Sequence, residues 1–466
     1  MAADHCDVGN VSIDMLPEEV LLEIFADYLC SVDDKDEWET LVHVCRRWRS
    51  IVFSAPLRLD LRLVCTGGTP VRKMLWIWPA LPIFIWLYWL DDEFEDEVLA
   101  ALEHKDRIYE IYVHGVSRHG LEVLAEATQD LPSLTDLHVE SFHGRPFVPD
   151  SLLRGSAPHL RSLHLKSVRF LAFPELLLSA TGLVDLSICN FAHVTPSVMV
   201  NCLPSLTRLE KLQIEDPYTQ PRSDQASGYP PPLTLIVLPV LTSIAFKGGG
   251  EYLDHFLSHF DAPVVKHVDI MFSGPAVFDL SQISQFIGRK ESFQAFDQAH
   301  IWWRDQLVSL TLSSRKGNSG GMWLQLPMWC KHRVWQLRSL TQVHHQFTHP
   351  LVTNGRFDCP PDTPRWATQT GITQWLEFLR FFAAVENLYL SEGLAEFIAL
   401  VLREISAGES AATARDVLPA LQTVFIERLD RSWCAPVREA IGKFVAEREL
   451  SDYPVVVNLW EREWCD

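Results

Sequence analysis

Two short runs decide the fold of the N-terminal region: LPEEVLLEIF at residues 16–25 and VCRRW at residues 44–48. In the first run, apolar residues recur every three or four positions, which predicts a helix with a broad apolar stripe. Pro17 suits a first helical position because its missing N–H is not needed there. A second apolar set between Trp38 and Val52 has the same spacing. The sequence therefore predicts a helical module at residues 13–60, after a flexible tail at residues 1–12.

The order and spacing of these residues closely resemble the F-box. The signature of that family is Leu-Pro, an acidic-aliphatic-Leu triplet, Ile-Phe, Leu and Val-Cys-Arg-x-Trp. This sequence carries it as Leu16-Pro17, Glu19-Val20-Leu21, Ile24-Phe25, Leu29 and Val44-Cys45-Arg46-Arg47-Trp48. The acidic link at residues 31–37 is longer than the family usually has. A generic helical hairpin is the alternative, but it would need only the apolar stripe and not both ends of the motif.

The resemblance implies a three-helix F-box that binds a Skp-type adaptor. Its apolar stripe is expected to lie partly in the module's own core and partly against the adaptor. The residues implied for adaptor binding are Leu16, Pro17, Val20, Leu21, Ile24, Phe25, Leu29, Val44 and Trp48.

The composition narrows the class of protein. The chain has 466 residues, a formal net charge of −20 and 47% hydrophobic residues, so it can bury a large core, and its acidity disfavours a broad nucleic-acid interface. Ten cysteines without paired spacing and a polar, acidic N-terminus favour reduced thiols in the cytoplasm or nucleus. Pro79 and Pro82 interrupt the apolar run at residues 74–90, which predicts a buried strand after a loop and not a membrane span.

A second pattern begins at Leu81 and recurs along the chain: apolar, two variable residues, apolar, one variable residue, apolar. The first six copies start 27, 26, 26, 23 and 26 residues apart, a period typical of leucine-rich repeats. Amphipathic segments between the copies predict helices. The sequence thus predicts an α/β fold in which residues 61–466 form a leucine-rich-repeat-like solenoid, with parallel strands on its concave face and helices on its convex face.

The repeat becomes degenerate in the second half of the chain. Between residues 270 and 385 its register is poor, and Pro- or Ser-rich composition predicts long loops near residues 216–232, 313–322 and 346–370. An ordinary α/β domain with unrelated strands is the alternative, which the regular first half disfavours.

No catalytic residue, cofactor or metal site is predicted from the sequence. Cys330 and His332 lie near His344 and His345, but the paired ligand spacing of zinc sites is missing. Lys247 precedes three glycines without the Walker pattern, so a strand-end turn explains it better.

The predicted concave face carries the candidate binding surface. The single variable residue inside each strand triplet points away from the core, because alternate strand residues face opposite sides of a sheet. Tyr112, His138 and His164 hold that position in three successive copies, so we expect them to form a row that binds a target protein. A solvated sheet face without a partner is the alternative.

The sequence as a whole resembles fungal F-box proteins, and the resemblance implies a substrate-recognition subunit of a Skp–cullin–F-box ubiquitin ligase. Such a chain is not an enzyme: it binds the Skp adaptor and, through it, a cullin, and it holds a target protein. Neither a nucleic acid nor a membrane is an expected partner. A Skp-bound scaffold that never joins a cullin, and an enzyme with a degenerate motif, are the alternatives.

Overall fold

The structure is a computed structural model of the chain. The residues it describes are 13–31, 38–56, 58–66, 68, 70–78, 80–88, 95–128, 131–142, 144–155, 157–190, 194–215, 235–272, 281–290, 293, 296–304, 307–314, 321–327, 352–359, 372–407, 417–427 and 435–460. The chain divides into two compact units, unit 1 at Met1–Ala180 and unit 2 at Thr181–Asp466.

Unit 1 begins with three helices, as predicted. After a short 3-10 helix at Ile13–Met15, they are α1 (Glu18–Ser31), α2 (Trp38–Val44) and α3 (Arg46–Ser54). Pro17 does not occupy the first helical position: it directly precedes α1, and its carbonyl accepts a hydrogen bond from the Leu21 N–H at 3.1 Å. The ring therefore costs α1 no hydrogen bond, because proline at this position needs no N–H donor.

The Val-Cys-Arg-x-Trp run separates α2 from α3 and joins the two ends of the module. Cys45 caps α3, with its Sγ accepting from the Trp48 N–H at 3.4 Å. Arg47 donates from Nη2 to the carbonyl oxygen of Leu16 at 2.6 Å. The Trp48 ring packs on Phe25 of α1, with 4.7 Å between the ring centroids. The second motif run thus fixes the start and the middle of α1.

Trp38 connects the three helices to the residues that follow them. Its side chain is only 2% exposed, and its indole N–H donates to the carbonyl of Arg62 at 3.1 Å. The same hydrophobic cluster includes Leu61 and Leu81, with Trp78 packed against it. The core of the helical module therefore continues past residue 60, as far as Leu81.

The rest of unit 1 alternates strands with helices. The elements are β1 (Leu63–Cys65), α4 (Val71–Ile77), β2 (Ile83–Tyr88), α5 (Glu95–Leu102), β3 (Ile108–His114), α6 (Arg118–Ala127), β4 (Asp136–Glu140), β5 (Phe147–Val148), β6 (Ser162–Lys166), β7 (Arg169–Phe170) and α7 (Phe173–Ser179). Strands β1, β2, β3, β4 and β6 pair in that order, all parallel. The run at residues 74–90 holds the predicted strand, β2, but Met74–Ile77 are helical and not part of a loop. No helix among the described residues is long and apolar enough to cross a membrane.

One face of this sheet buries a ladder of aliphatic side chains. Ile85, Ile111, Leu137 and Leu163 are paired in register on β2, β3, β4 and β6, and each is at most 1% exposed. The prediction for β2 was wrong by one residue. The copy of the repeat that begins at Leu81 has Trp86 as its third apolar residue, which predicts a buried side chain. In the structure Trp86 pairs with Tyr112 and is 42% exposed.

Unit 2 continues the alternation of strands and helices. Its elements are β8 (Asp185–Cys189), α8 (Pro196–Cys202), β9 (Lys211–Glu215), β10 (Ile236–Val237), β11 (Ser243–Gly248), α9 (Gly250–Leu257), β12 (Phe260–Asp261), β13 (His267–Phe272), α10 (Ser281–Gly288), β14 (Gln298–Arg304), β15 (Leu307–Ser313), β16 (Gly321–Pro327), β17 (Asn354–Asp358), α11 (Ile372–Leu379), β18 (Asn387–Leu390), α12 (Glu392–Ala407), β19 (Thr423–Glu427), α13 (Ala435–Leu450) and β20 (Val456–Trp460). Strands β8, β9, β11 and β13 pair parallel in that order, as do β17, β18, β19 and β20.

The prediction of parallel strands throughout is wrong in the middle of unit 2. There β15 is antiparallel to both of its neighbours, β14 and β16. Strand β16 then pairs parallel with β13, and β14 pairs parallel with β17. A short antiparallel meander of β14, β15 and β16 thus lies between residues 270 and 385, where the register of the sequence repeat is poor.

The predicted loops differ from the structure in two places. Strand β17 lies inside the loop expected at residues 346–370, and it pairs on both sides. Ser313 and Gly321 belong to strands, so they are not part of the loop expected near residues 313–322. The loop expected at residues 216–232 lies outside the described residues, as do Cys330, His332, His344 and His345.

Because of the aliphatic ladder, the stability of unit 1 should depend on each of its buried side chains. We expect Leu163→Ala to lower the free energy of unfolding by about 2–5 kcal/mol, because it leaves a cavity in the buried face of β6. Hydrogen exchange of the β4 and β6 amides and urea denaturation would both measure this loss.

Leu178→Ala is the matched control, since Leu178 is 53% exposed and the same change should cost less than about 0.5 kcal/mol. Equal losses in the two variants would contradict a core centred on the ladder.

Candidate functional site

The structure divides the nine residues implied for adaptor binding into three groups. Leu21 and Phe25 are buried, at 0% and 1% exposure, and form the core of the helices. Leu16, Leu29 and Trp48 are partly buried against that core. The exposed members are Pro17, Val20, Ile24 and Val44. Only this last group is exposed, and Leu21 and Phe25 are not accessible to a partner.

Three exposed apolar side chains form a stripe on α1. Val20, Ile24 and Tyr28, here called the α1 stripe, follow each other at four-residue intervals, which places them on one side of the helix. Their exposures are 42%, 43% and 37%. Met15, just before α1, is 73% exposed. Tyr28 and Met15 were not among the residues implied by the resemblance, although Tyr28 belongs to the same helical period.

The face of the unit 1 sheet opposite the aliphatic ladder carries two rows of side chains in register. The aromatic–histidine row is Trp86, Tyr112, His138 and His164, on β2, β3, β4 and β6 in turn. The strand-end row is Tyr88, His114, Glu140 and Lys166, two residues further along the same strands. The three residues predicted for target binding are thus brought together by backbone pairing.

Rings in the aromatic–histidine row contact one another across the strands. The Tyr112 and His138 rings stack with 4.2 Å between centroids and 21° between planes. His138 and His164 stack at 5.5 Å, and Trp86 meets Tyr112 edge-on at 5.8 Å. These contacts fix the orientation of the rings before any partner arrives.

The strand-end row holds a buried carboxylate. Glu140 is 6% exposed, and its Oε1 lies 2.6 Å from Lys166 Nζ. Its Oε2 lies 2.7 Å from His114 Nδ1 and 3.9 Å from His138 Nε2. The Glu140 main chain is held as well, because its carbonyl accepts from the N–H groups of Gly115 and Val116 at 2.9 and 3.0 Å.

His138 is uncharged at neutral pH. Burial, and next the neighbouring His164, lower the pKa of His138 to about 4. The Glu140 carboxylate acts in the opposite direction, but His114 and Lys166 add to the lowering. The row is therefore not a pH switch near pH 6.5 at this residue, contrary to what an unperturbed histidine would provide.

The most accessible aromatic side chains of this face were missed from the sequence. Tyr88 is 59% exposed, Trp86 42% and Phe142, just after β4, 41%. Phe142 meets the His114 ring edge-on at 4.4 Å, and Tyr88 lies 4.7 Å from the same ring. Trp86 and Tyr88 were missed because the repeat pattern is shifted by one residue in β2 and places them on the buried face.

Unit 2 has an aromatic pair of its own between neighbouring strands. Tyr389 on β18 and Phe425 on β19 stack with 4.4 Å between centroids and 6° between planes. Arg356 places its guanidinium over the Trp460 ring at 4.8 Å and donates from Nε to Asp358 Oδ2 at 2.7 Å. The rings of Tyr389, Phe425 and Trp460 are less exposed than those of Trp86 and Tyr88 in unit 1.

The helical module also matches a known family by sequence. Residues 13–65, about a tenth of the chain, match the family model of the F-box-like domain. No curated protein matches the chain. F-box domains are typically non-catalytic adaptors that bind a Skp-type protein, and α1 carries exposed apolar side chains that such binding could cover. The chain therefore carries an F-box-like domain, at residues 13–65.

Proposed function

We propose that this protein is a substrate receptor of a Skp–cullin–F-box ubiquitin ligase. The observation that carries the proposal is the exposed α1 stripe on a domain that matches the F-box-like model. Its partner would be a Skp-type adaptor and, through it, a cullin. The chain itself would catalyse no reaction and would act in the cytoplasm or nucleus.

The α1 stripe has the properties of an adaptor contact. Val20, Ile24 and Tyr28 extend over more than two helical turns and are held by a rigid core, since Leu21 and Phe25 point inward from the same helix. An apolar helix face laid into a partner's groove is a recurrent mode of recognition. Exposed apolar side chains are unfavourable in water, so the free energy falls when a partner covers them.

The sheets would supply the target-binding part of the receptor. We propose that the strands and helices after residue 61 are leucine-rich-repeat-like, interrupted by the meander at β14–β16, and that their strands line a concave face. Regular parallel register in unit 1 and the 23- to 27-residue period support this. Binding a target there would raise its concentration next to a ubiquitin-conjugating enzyme, which accelerates transfer without new chemistry.

The aromatic–histidine row and the strand-end row are the proposed target surface. Aromatic side chains are the commonest energetic anchors of protein interfaces. Here they are preoriented by stacking, so that binding loses little conformational freedom. Trp86, Tyr88 and Phe142 are the accessible anchors, while Tyr112, His138 and His164 support them from within the row.

Adaptor binding tests the first half of the proposal. We expect Val20→Asp with Ile24→Asp to weaken binding of a purified Skp-type adaptor about 100-fold or more, because two apolar anchors become charged. Titration calorimetry with the full chain measures the affinity.

The matched control for adaptor binding is Leu171→Asp with Leu178→Asp, two aliphatic residues outside the F-box-like domain that are 61% and 53% exposed. That variant should bind the adaptor as the unchanged chain does. An unchanged affinity in the α1 variant would refute the adaptor assignment.

Target recovery tests the second half. We expect Trp86→Ala with Tyr88→Ala to lose target proteins in affinity purification while the adaptor is recovered in full, because the accessible anchors are gone. Quantitative mass spectrometry of the co-purified proteins measures both.

The comparison variant is Trp76→Ala with Tyr109→Ala, which also removes one tryptophan and one tyrosine, 87% and 36% exposed. Loss of the same proteins from both variants, or from neither, would place target binding elsewhere on the chain.

A further inference from the structure

We propose that His114, His138 and Glu140 form a binding site for one divalent transition-metal ion, of which Zn²⁺ is the best fit. One potential ligand atom from each residue lies within 4.8 Å of the other two. This is the one such group of histidine, cysteine and carboxylate side chains among the residues that the structure describes. The site is independent of the adaptor contact and does not require that the protein be a ligase receptor.

The positions of the three atoms suit a zinc ion. Zinc bonds of about 2.0–2.1 Å in a tetrahedron place ligand atoms about 3.3 Å apart. Oε2 of Glu140 lies 2.7 Å from His114 Nδ1 and 3.9 Å from His138 Nε2, which brackets that separation. Side-chain movements of less than about 1 Å would therefore complete the coordination.

The two histidine nitrogens that face Glu140 lack hydrogen bonds within the described part of the chain. His114 Nδ1 and His138 Nε2 are both buried without a hydrogen-bond partner. His114 Nδ1 lies 2.7 Å from Oε2 but makes no hydrogen bond to it. Buried polar atoms are rarely left so, and a metal ion would satisfy both at once.

The surroundings hold the three ligands in place. Lys166 Nζ binds the other carboxylate oxygen of Glu140 at 2.6 Å, which leaves Oε2 directed at the imidazoles. Tyr112 stacks on His138 at 4.2 Å, and Phe142 and Tyr88 enclose His114. Such outer contacts orient metal ligands and raise their affinity.

The same surroundings decide which metal fits. Lys166 offsets the charge of Glu140, so the site attracts a cation less by charge than by its two imidazole nitrogens. Ca²⁺ and Mg²⁺ prefer sites made of oxygen ligands, whereas imidazole suits zinc, nickel and copper. Three protein ligands also leave a fourth position for water or for a side chain of a bound protein.

Zinc binding by the full chain tests the site. After removal of metals with a chelator, we expect one equivalent of Zn²⁺ to bind more tightly to the unchanged chain than to His114→Ala with His138→Ala, by about 100-fold or more. Competition with a colorimetric zinc indicator measures the affinity, and Mg²⁺ should not compete. His159→Ala, a change of an exposed histidine outside the site, should keep the affinity.

A second measurement does not depend on the variants folding. X-ray absorption of the zinc-loaded, unchanged chain should show two imidazole nitrogens and oxygen ligands. Equal zinc affinity in the unchanged and double-variant chains would overturn the site. A sulfur-containing ligand shell, or no zinc binding at all, would overturn it as well.

Discussion

In-register pairing of the parallel strands is the constraint on which the rest of unit 1 depends. It stacks Ile85, Ile111, Leu137 and Leu163 into one buried ladder. Because alternate residues point to opposite faces, the same pairing must also align the side chains between them on the other face. The aromatic–histidine row and the strand-end row are therefore consequences of how the core is paired. A slip of one residue in any strand would destroy the core and both rows together.

Most residues of the F-box-like motif hold the domain together, and fewer are available to a partner. Cys45 caps α3, Arg47 binds the carbonyl of Leu16, and Trp48 packs on Phe25. This explains why the two ends of the motif occur together: the second run fixes the geometry of the first. Val20, Ile24 and Tyr28 are the apolar residues of the α1 stripe, and they stay exposed. Internal packing thus leaves an apolar stripe exposed on α1.

The sequence predicts the helices and strands better than it predicts which strands pair and in which register. The helical module and most strands follow from local spacing, and the alignment of Tyr112, His138 and His164 follows from a constant period. The register of β2 could not be predicted, because residues 83–88 are apolar at every position and show no alternation. The antiparallel meander depends on pairing between distant segments, and β17 is a polar strand in proline-rich surroundings. The group of His114, His138 and Glu140 was missed because His114 lies on β3, 24 and 26 residues before His138 and Glu140 on β4. Only the pairing of the two strands brings the three side chains together.

The central claim is that the N-terminal helices, through the exposed side of α1, are where an adaptor binds. Hydrogen exchange of the full chain with and without a purified Skp-type adaptor tests it most directly, because it maps protection along the whole backbone without altering any residue. We predict that protection on binding concentrates at residues 13–31 and around Val44, and that the amides of β3 and β4 exchange as before. Protection confined to the strands, with the α1 amides unchanged, would contradict the account.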